Sequence, residues 1–427
     1  MILRKLRHVW KLMANNKLFS AIYIFGTALA LATVTVFAVV YYNSLAPVYP
    51  EYNRPKTAYI SHIQCDEILN HGMSQSRLSY PFIRDYLSNF KNVDKMALCC
   101  DIWAMPHVQT ENGVPDLKVK VTPVDTAFFE IFNFDFLAGA PFTPQEFLSG
   151  MKVAVVSEQT IRDAFGPISP SEALGKDISL DFQKYKITGV VKEASQMQNW
   201  SYANVYYPYT TLPDYKREGY RPGTGNFQVI YLTDKLGELK EEVAETIRRY
   251  NTGNDKFNIT LWNQPQSHNE LILTDNPLNT EPFSLWTYLA KGLGLLAILL
   301  LVPAMNLSGM ISGQMESRIS EMGIRKSFGA TRSVLLGEIL WENFFLTLVG
   351  GFIGFVLAYL MFRMGIGSIF GKGDSELGPL YLSASQVFAP AIFGFVFVIS
   401  LLLNILSAFV PAYRSLGKPI VESLKEK

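Results

Sequence analysis

The chain has 427 residues, 38 Lys+Arg against 37 Asp+Glu, and 49% hydrophobic residues. The length calls for more than one compact unit, the apolar content excludes a disordered chain, and the charge balance excludes a global basic field for nucleic acid. Three cysteines are too few for a disulfide-built scaffold.

The first seventeen residues carry Arg4, Lys5, Arg7, Lys11 and Lys17 and no acid. Leu3, Leu6, Trp10 and Met13 recur at helical spacing among them. That pattern predicts an amphipathic helix over residues 1–17 at the cytoplasmic interface, with an unstructured basic flank as the alternative. Leu18–Tyr42 follows without a charge for 25 positions. At ~1.5 Å per residue it reaches about 37 Å, enough to cross a ~30 Å hydrocarbon core. A cleaved signal has a shorter apolar core, so residues 18–42 are expected to be a retained transmembrane helix.

Residues 43–284 are charged throughout and read as a mixed α/β domain of two lobes. Lys152–Val156 is a valine-rich run of buried-strand type, Ser157 a helix N-cap with Glu158 in the first turn, and Gly166 the helix stop. Tyr185–Val191 reads as a strand. Leu236–Tyr250 is the clearest helix: Leu236, Leu239, Val243, Ile247 and Tyr250 share a face, with acids early and Arg248-Arg249 late. Strand-like alternation returns over Phe257–Trp262. Cys65, Cys99 and Cys100 are compatible with one bridge from Cys65 or with three free buried thiols.

Three more apolar runs predict spans over 285–311, with Lys291 reaching for the outer surface, over 336–362, and over 386–410. Glu338 and Glu342 lie near one end of the third, and Gly350, Gly351 and Gly354 in its middle offer a groove for close helix packing, within the chain or between two copies. Asn306 and Asn404 are read as hydrogen-bonding glue between helices, a place on a substrate path being the sharper option; Pro303 is read as a kink. Orientation follows from short-flank cations. Residues 1–17, the 312–335 loop and the 411–427 tail hold thirteen Lys/Arg, against two in the 363–385 loop. Both termini and the 312–335 loop are therefore expected in the cytoplasm, and residues 43–284 and 363–385 outside. The fold class is thus an α-helical membrane protein with four transmembrane helices and a large mixed α/β extracytoplasmic domain.

No P-loop, His-Glu-x-x-His, paired Cys-x-x-Cys or Gly-x-Ser-x-Gly occurs, and no carboxylate pair stands out as catalytic. His8, His62, His71, His107 and His268 are scattered without metal spacing and read as satisfied surface histidines. No enzyme site, cofactor or metal is expected on this chain. The 312–335 loop is more informative. Arg318–Ala330 mixes Ile319, Ile324 and Phe328 with both signs of charge. It predicts a short amphipathic helix ending at Gly329, either docking on another protein or lying on lipid headgroups.

The loop sequence Glu316-Ser-Arg-Ile-Ser-Glu-Met-Gly-Ile-Arg-Lys-Ser-Phe-Gly-Ala-Thr-Arg332 resembles the signature of MacB-like and FtsX-like ABC-transporter permeases. Arg318, Glu321, Gly323, Ile324, Arg325, Lys326, Ser327, Gly329 and Ala330 fall on that pattern, with Met322 and Phe328 as departures. Gly350-Gly351-x-x-Gly354 and the tail Pro411-Ala412-Tyr413-Arg414…Pro419…Leu424-Lys425 continue the likeness, Ser415 and Ser423 replacing alanines. Outside the membrane, Phe128-Phe-Glu-Ile-Phe132…Leu137-Ala-Gly139 and Val153-Ala-Val-Val-Ser157…Tyr185-Lys-Ile-Thr-Gly-Val-Val191 are similar to the periplasmic MacB-type domain.

The resemblance implies an inner-membrane permease whose Arg318–Ala330 segment, Phe328 included, is the coupling helix seated on a separate ABC ATPase subunit that binds ATP and Mg²⁺. It further implies a homodimer or a pair of related permeases. Mechanical work on an external substrate is implied, with a periplasmic adaptor and outer-membrane channel as further partners if the role is efflux. An FtsX-like activator of cell-wall hydrolases, a lipoprotein-releasing permease, and a membrane anchor or receptor without transport are the competing readings.

Overall fold

The computed structural model describes residues 17–102, 105–109, 117–217, 219, 221–274, 283–364 and 390–417. They fall into two compact units, one holding the residues up to Tyr42 and from Leu289 onward, the other Asn43–Tyr288. The expected helix over 1–17, apart from Lys17, lies outside the described residues, as do most of the 363–385 loop, residues 386–389 and the tail beyond Gly417.

The membrane-type unit is built from long helices. Three are long and apolar enough to cross a membrane: Lys17–Leu45, Arg332–Phe362 and Ala391–Gly417. A fourth helix, Leu285–Ser317, opens with the apolar stretch Leu285–Leu301. The side chains of Pro303 and Asn306 are outside the description. The last helix runs through Pro411 to Gly417, seven residues beyond the predicted end of its span at Val410. Ala412 and Leu416 explain the extension, since both are buried with Ile311, Met315, Met322, Leu335 and Ile339. Burial of that face outweighs the one backbone bond that a helix-interior proline forgoes.

In the other unit the strands follow a continuous hydrogen-bonded path. Phe227–Leu232 runs antiparallel to Thr57–Ile60, with Leu232 opposite Thr57, and antiparallel on its other side to Lys95–Cys100, with Phe227 opposite Cys100. Farther along, Val153–Ser157 is parallel to Gln183–Val191 and antiparallel to Val205–Pro208, which is itself parallel to Val121–Val124. A bridge between Cys99 and Val124 joins the two regions. This path belongs to one compact unit, and an aromatic cluster around Phe128, Phe132, Phe142 and Tyr206 takes the strand residues that alternate with those of two other apolar clusters.

Local readings match their physics. Ser157 accepts from the Thr160 amide at the head of Glu158–Phe165, and Gly166 ends that helix at φ +78°. Leu236–Thr252 buries Leu239, Val243 and Ile247 at the expected spacing. All three cysteines are buried and no disulfide joins any of them, so of the two open readings the bridge is the one not seen.

Candidate coupling site and its supports

The segment after the Leu285–Ser317 helix folds as the predicted short helix, Ile319–Ser327. The helix has two faces. Ile319, Met322 and Gly323 are buried on the bundle side. Ile324 and Phe328, four residues apart, stand outward together, with Phe328 86% exposed. Its ring leaves a large apolar surface uncovered beside the half-exposed Ile324. The C-terminal turn closes as a glycine stop should. Gly329 takes φ +92°, which an L side chain rarely adopts, and Ala330 N donates to Arg325 O at 3.1 Å. Ser327 Oγ donates to Ile324 O at 2.7 Å.

Ion pairs fasten the short helix to its neighbours. Arg318 donates to Glu342 of the Arg332–Arg363 helix through both terminal nitrogens, at 2.9 and 3.3 Å. The two side chains are only 14% and 8% exposed, so this forked pair is shielded from water. Arg325 bridges Glu321 at 2.6 Å and Glu338 at 3.0 Å on the exposed side. Lys326 Nζ donates to Leu416 O at 2.7 Å, placing a cation at the carbonyl end of the last helix. Burial, and the charge of Arg332, hold the Lys326 pKa below the usual lysine value. Glu338 and Glu342, which the sequence places only near one end of a span, are thus the counter-ions of this segment.

The glycine set lies where helices touch within one chain. A Cβ on Gly350 would come within 3.0 Å of the Thr27 side chain, and on Gly354 within 2.8 Å of Ala28 O. Gly351 faces Phe397 of the last helix, 2.4 Å from where its Cβ would be. Of the two contacts left open by the sequence, the one seen is intramolecular, between the third span and the first and last. Asn404 acts as expected of helix glue: its amide donates to Thr347 Oγ1 at 3.4 Å, and Thr347 meets Tyr23 Oη at 3.1 Å.

Sequence reasoning missed a second polar cluster, where the first helix ends inside the external unit. Glu51 and Arg54 form an ion pair at 2.7 Å with side chains 0% and 1% exposed. Arg54 Nη1 donates to the Asn43 and Ala46 carbonyls, and Ser201 donates to Glu51 Oε1 through both its amide and its hydroxyl. His268, on the last external helix, His268–Thr274, donates from Nε2 to Ser44 O at 2.8 Å. Far from lying on the surface, His268 is 2% exposed. The available signal was weak: two opposite charges three residues apart, soon after an apolar helix.

Comparison with known proteins bears on this geometry. The model of the MacB-like periplasmic core domain matches residues 20–250, more than half of the chain, and that of the FtsX-like permease C-terminal region matches residues 293–420. The chain belongs to the MacB/FtsX-like ABC transporter permeases. The second match contains the whole Arg318–Ala330 segment and the Gly350–Gly354 set.

Among relatives, the uncharacterized ABC transporter permease YknZ of Bacillus subtilis is 23% identical over 57% of this chain and 57% of its own length. The macrolide export ATP-binding/permease protein MacB of Agrobacterium fabrum is 26% identical over 74% of this chain and 45% of its own. The chain thus spans about half the length of these curated relatives. The crystal structure of the periplasmic region of MacB from Actinobacillus actinomycetemcomitans aligns with 47% of this chain and 88% of its own at 15% identity and TM-score 0.33.

Proposed function

We propose that this permease transmits the work of a separate ABC ATPase subunit to its external domain. The observation that carries the reading is the outward Ile324–Phe328 face on a helix pinned from behind by Arg318–Glu342. A docking element must be both adhesive and stiff, so that a push on it moves the spans rather than bending the loop. Apolar exposure supplies the first property and the shielded fork the second.

In this reading four helices span the membrane, Leu285–Ser317 being the second, with both termini and the 319–327 helix cytoplasmic. ATP and Mg²⁺ act on the ATPase alone. Two permeases pair so that two ATPases close beneath two coupling helices. The tilt of the first two spans, which flank the external domain in the chain, then drives that domain. The names of several relatives speak of macrolide or pyoverdine export. Export of a small molecule or peptide, with a periplasmic adaptor and outer-membrane channel, is accordingly favoured over cell-wall activation, lipoprotein release or a passive anchor.

The test is co-purification of the full chain with its ATPase in mild detergent. Phe328→Asp and Gly323→Pro should each abolish the complex while membrane insertion persists. A complex intact in both variants refutes the coupling role, and no ATPase partner at all supports the anchor.

A further inference from the structure

The histidine at the junction has an unusual proton inventory. A carbonyl can only accept, so the 2.8 Å contact with Ser44 O fixes the Nε2–H tautomer of neutral His268. That leaves Nδ1 with a bare lone pair, and this buried atom has no hydrogen-bond partner among the described residues. What it faces is Glu51 Oε2, 3.8 Å away. An acceptor aimed at a carboxylate is an arrangement that a single proton would complete.

We infer that His268 Nδ1 is a proton-binding site, with Glu51 as counter-ion, that loosens the joint between the end of the first long helix and the last external helix when it fills. The step is simple in its balance: one proton leaves bulk water, binds Nδ1, and no covalent bond breaks. Before uptake the buried cluster is neutral overall, since Glu51 offsets Arg54. Afterwards it carries one net positive charge, and Glu51 must serve two cations.

Arg54 is the group that holds the Asn43 and Ala46 carbonyls, so its share of Glu51 sets how firmly that helix end is held. The other titratable group facing His268 is Tyr59, ring to ring at 6.3 Å, whose hydroxyl already meets Thr57 Oγ1 at 3.0 Å. On the histidine's own helix, Glu270 is held by Lys240 at 2.9 Å. Burial above all keeps the His268 pKa below the ordinary histidine value; Glu51 opposes this and Arg54 adds to it. The site is therefore empty of its proton at neutral pH and fills only in acid. This inference stands whether or not the chain couples to an ATPase.

The experiment is histidine-labelled NMR on the full chain in nanodiscs, with thermal unfolding at neutral and mildly acidic pH. Wild type should show the Nε2–H tautomer at neutral pH, proton uptake at Nδ1 below the ordinary histidine range, and a lower melting temperature in acid. His268→Gln, whose amide can still donate to Ser44 O, should lose most of that acid drop. A Nδ1–H tautomer, titration at the ordinary value, or an unchanged drop in the variant each overturns the proposal. The tautomer and titration are read on wild type, so they decide even if the variant fails to fold.

Discussion

Removing Arg318 tests whether the Ile319–Ser327 helix is pinned or merely resting. In Arg318→Met the Glu342 carboxylate keeps its place, 8% exposed, but loses both charge-assisted bonds at 2.9 and 3.3 Å. Breaking one side of a buried pair costs about 3–5 kcal/mol, because the remaining charge stays desolvated. Arg318 keeps some contact with solvent, so the low end, about 3 kcal/mol, is expected here, roughly a hundredfold in the folding equilibrium. Arg325→Met is the matched control. Its bridges to Glu321 and Glu338 are exposed and should contribute less than about 1 kcal/mol. In the double variant Arg318→Met/Glu342→Leu no charge is stranded, and most of the loss should return. Steric-trapping or denaturant unfolding in bicelles measures all four proteins. Arg318→Met no worse than the Arg325 control, or a double variant no more stable than Arg318→Met alone, refutes the pin.

Glycine substitutions should change sign with position. Gly354→Ala must push against Ala28 O at 2.8 Å and should destabilise by about 1–3 kcal/mol, whereas Gly394→Ala meets nothing within 4 Å and should stabilise by up to about 1 kcal/mol, both read by unfolding in bicelles. Thr347→Val strands Tyr23 Oη and the Asn404 amide in a buried site and should cost about 1–3 kcal/mol, a loss that Tyr23→Phe in the same chain should partly relieve. His62, held down by burial and then by Arg77, should titrate at about 4 by NMR, and Arg77→Met should move it upward. Its folded pKa lies below the unfolded value, so its contribution to stability is complete above the ordinary histidine range and is lost as pH falls through about 4. A His62 that titrates at the ordinary value in wild type contradicts that environment.

The long helices were legible because hydrocarbon admits only backbone that satisfies itself, so a span announces itself as an uninterrupted apolar run. The Ser157 cap and the Leu236–Thr252 face were legible for a similar reason: each is set by residues within a turn or two of one another. The short helix Ile319–Ser327 was legible as a helix but not in its faces: in sequence Ile319 groups with Ile324 and Phe328, whereas Ile319 is buried with Met322 and the other two are exposed. The strand path was not legible. Thr57 is paired with Leu232, and nothing local to either strand selects that partner.

Both shielded charge clusters fall in the same category. Arg318 and Glu342 are 24 positions apart, and His268 lies more than two hundred residues from Glu51 and Ser44. In sequence each of these side chains looks like an ordinary solvated charge, and only the fold takes the water away. Both clusters tie a long helix to a short one: Glu342, in the third turn of Arg332–Arg363, to the Ile319–Ser327 helix before it, and Ser44, at the end of Lys17–Leu45, to His268–Thr274 far later in the chain. Short helices bury too little surface to hold themselves by packing, so a specific ionic or hydrogen-bonded tie is what fixes their angle.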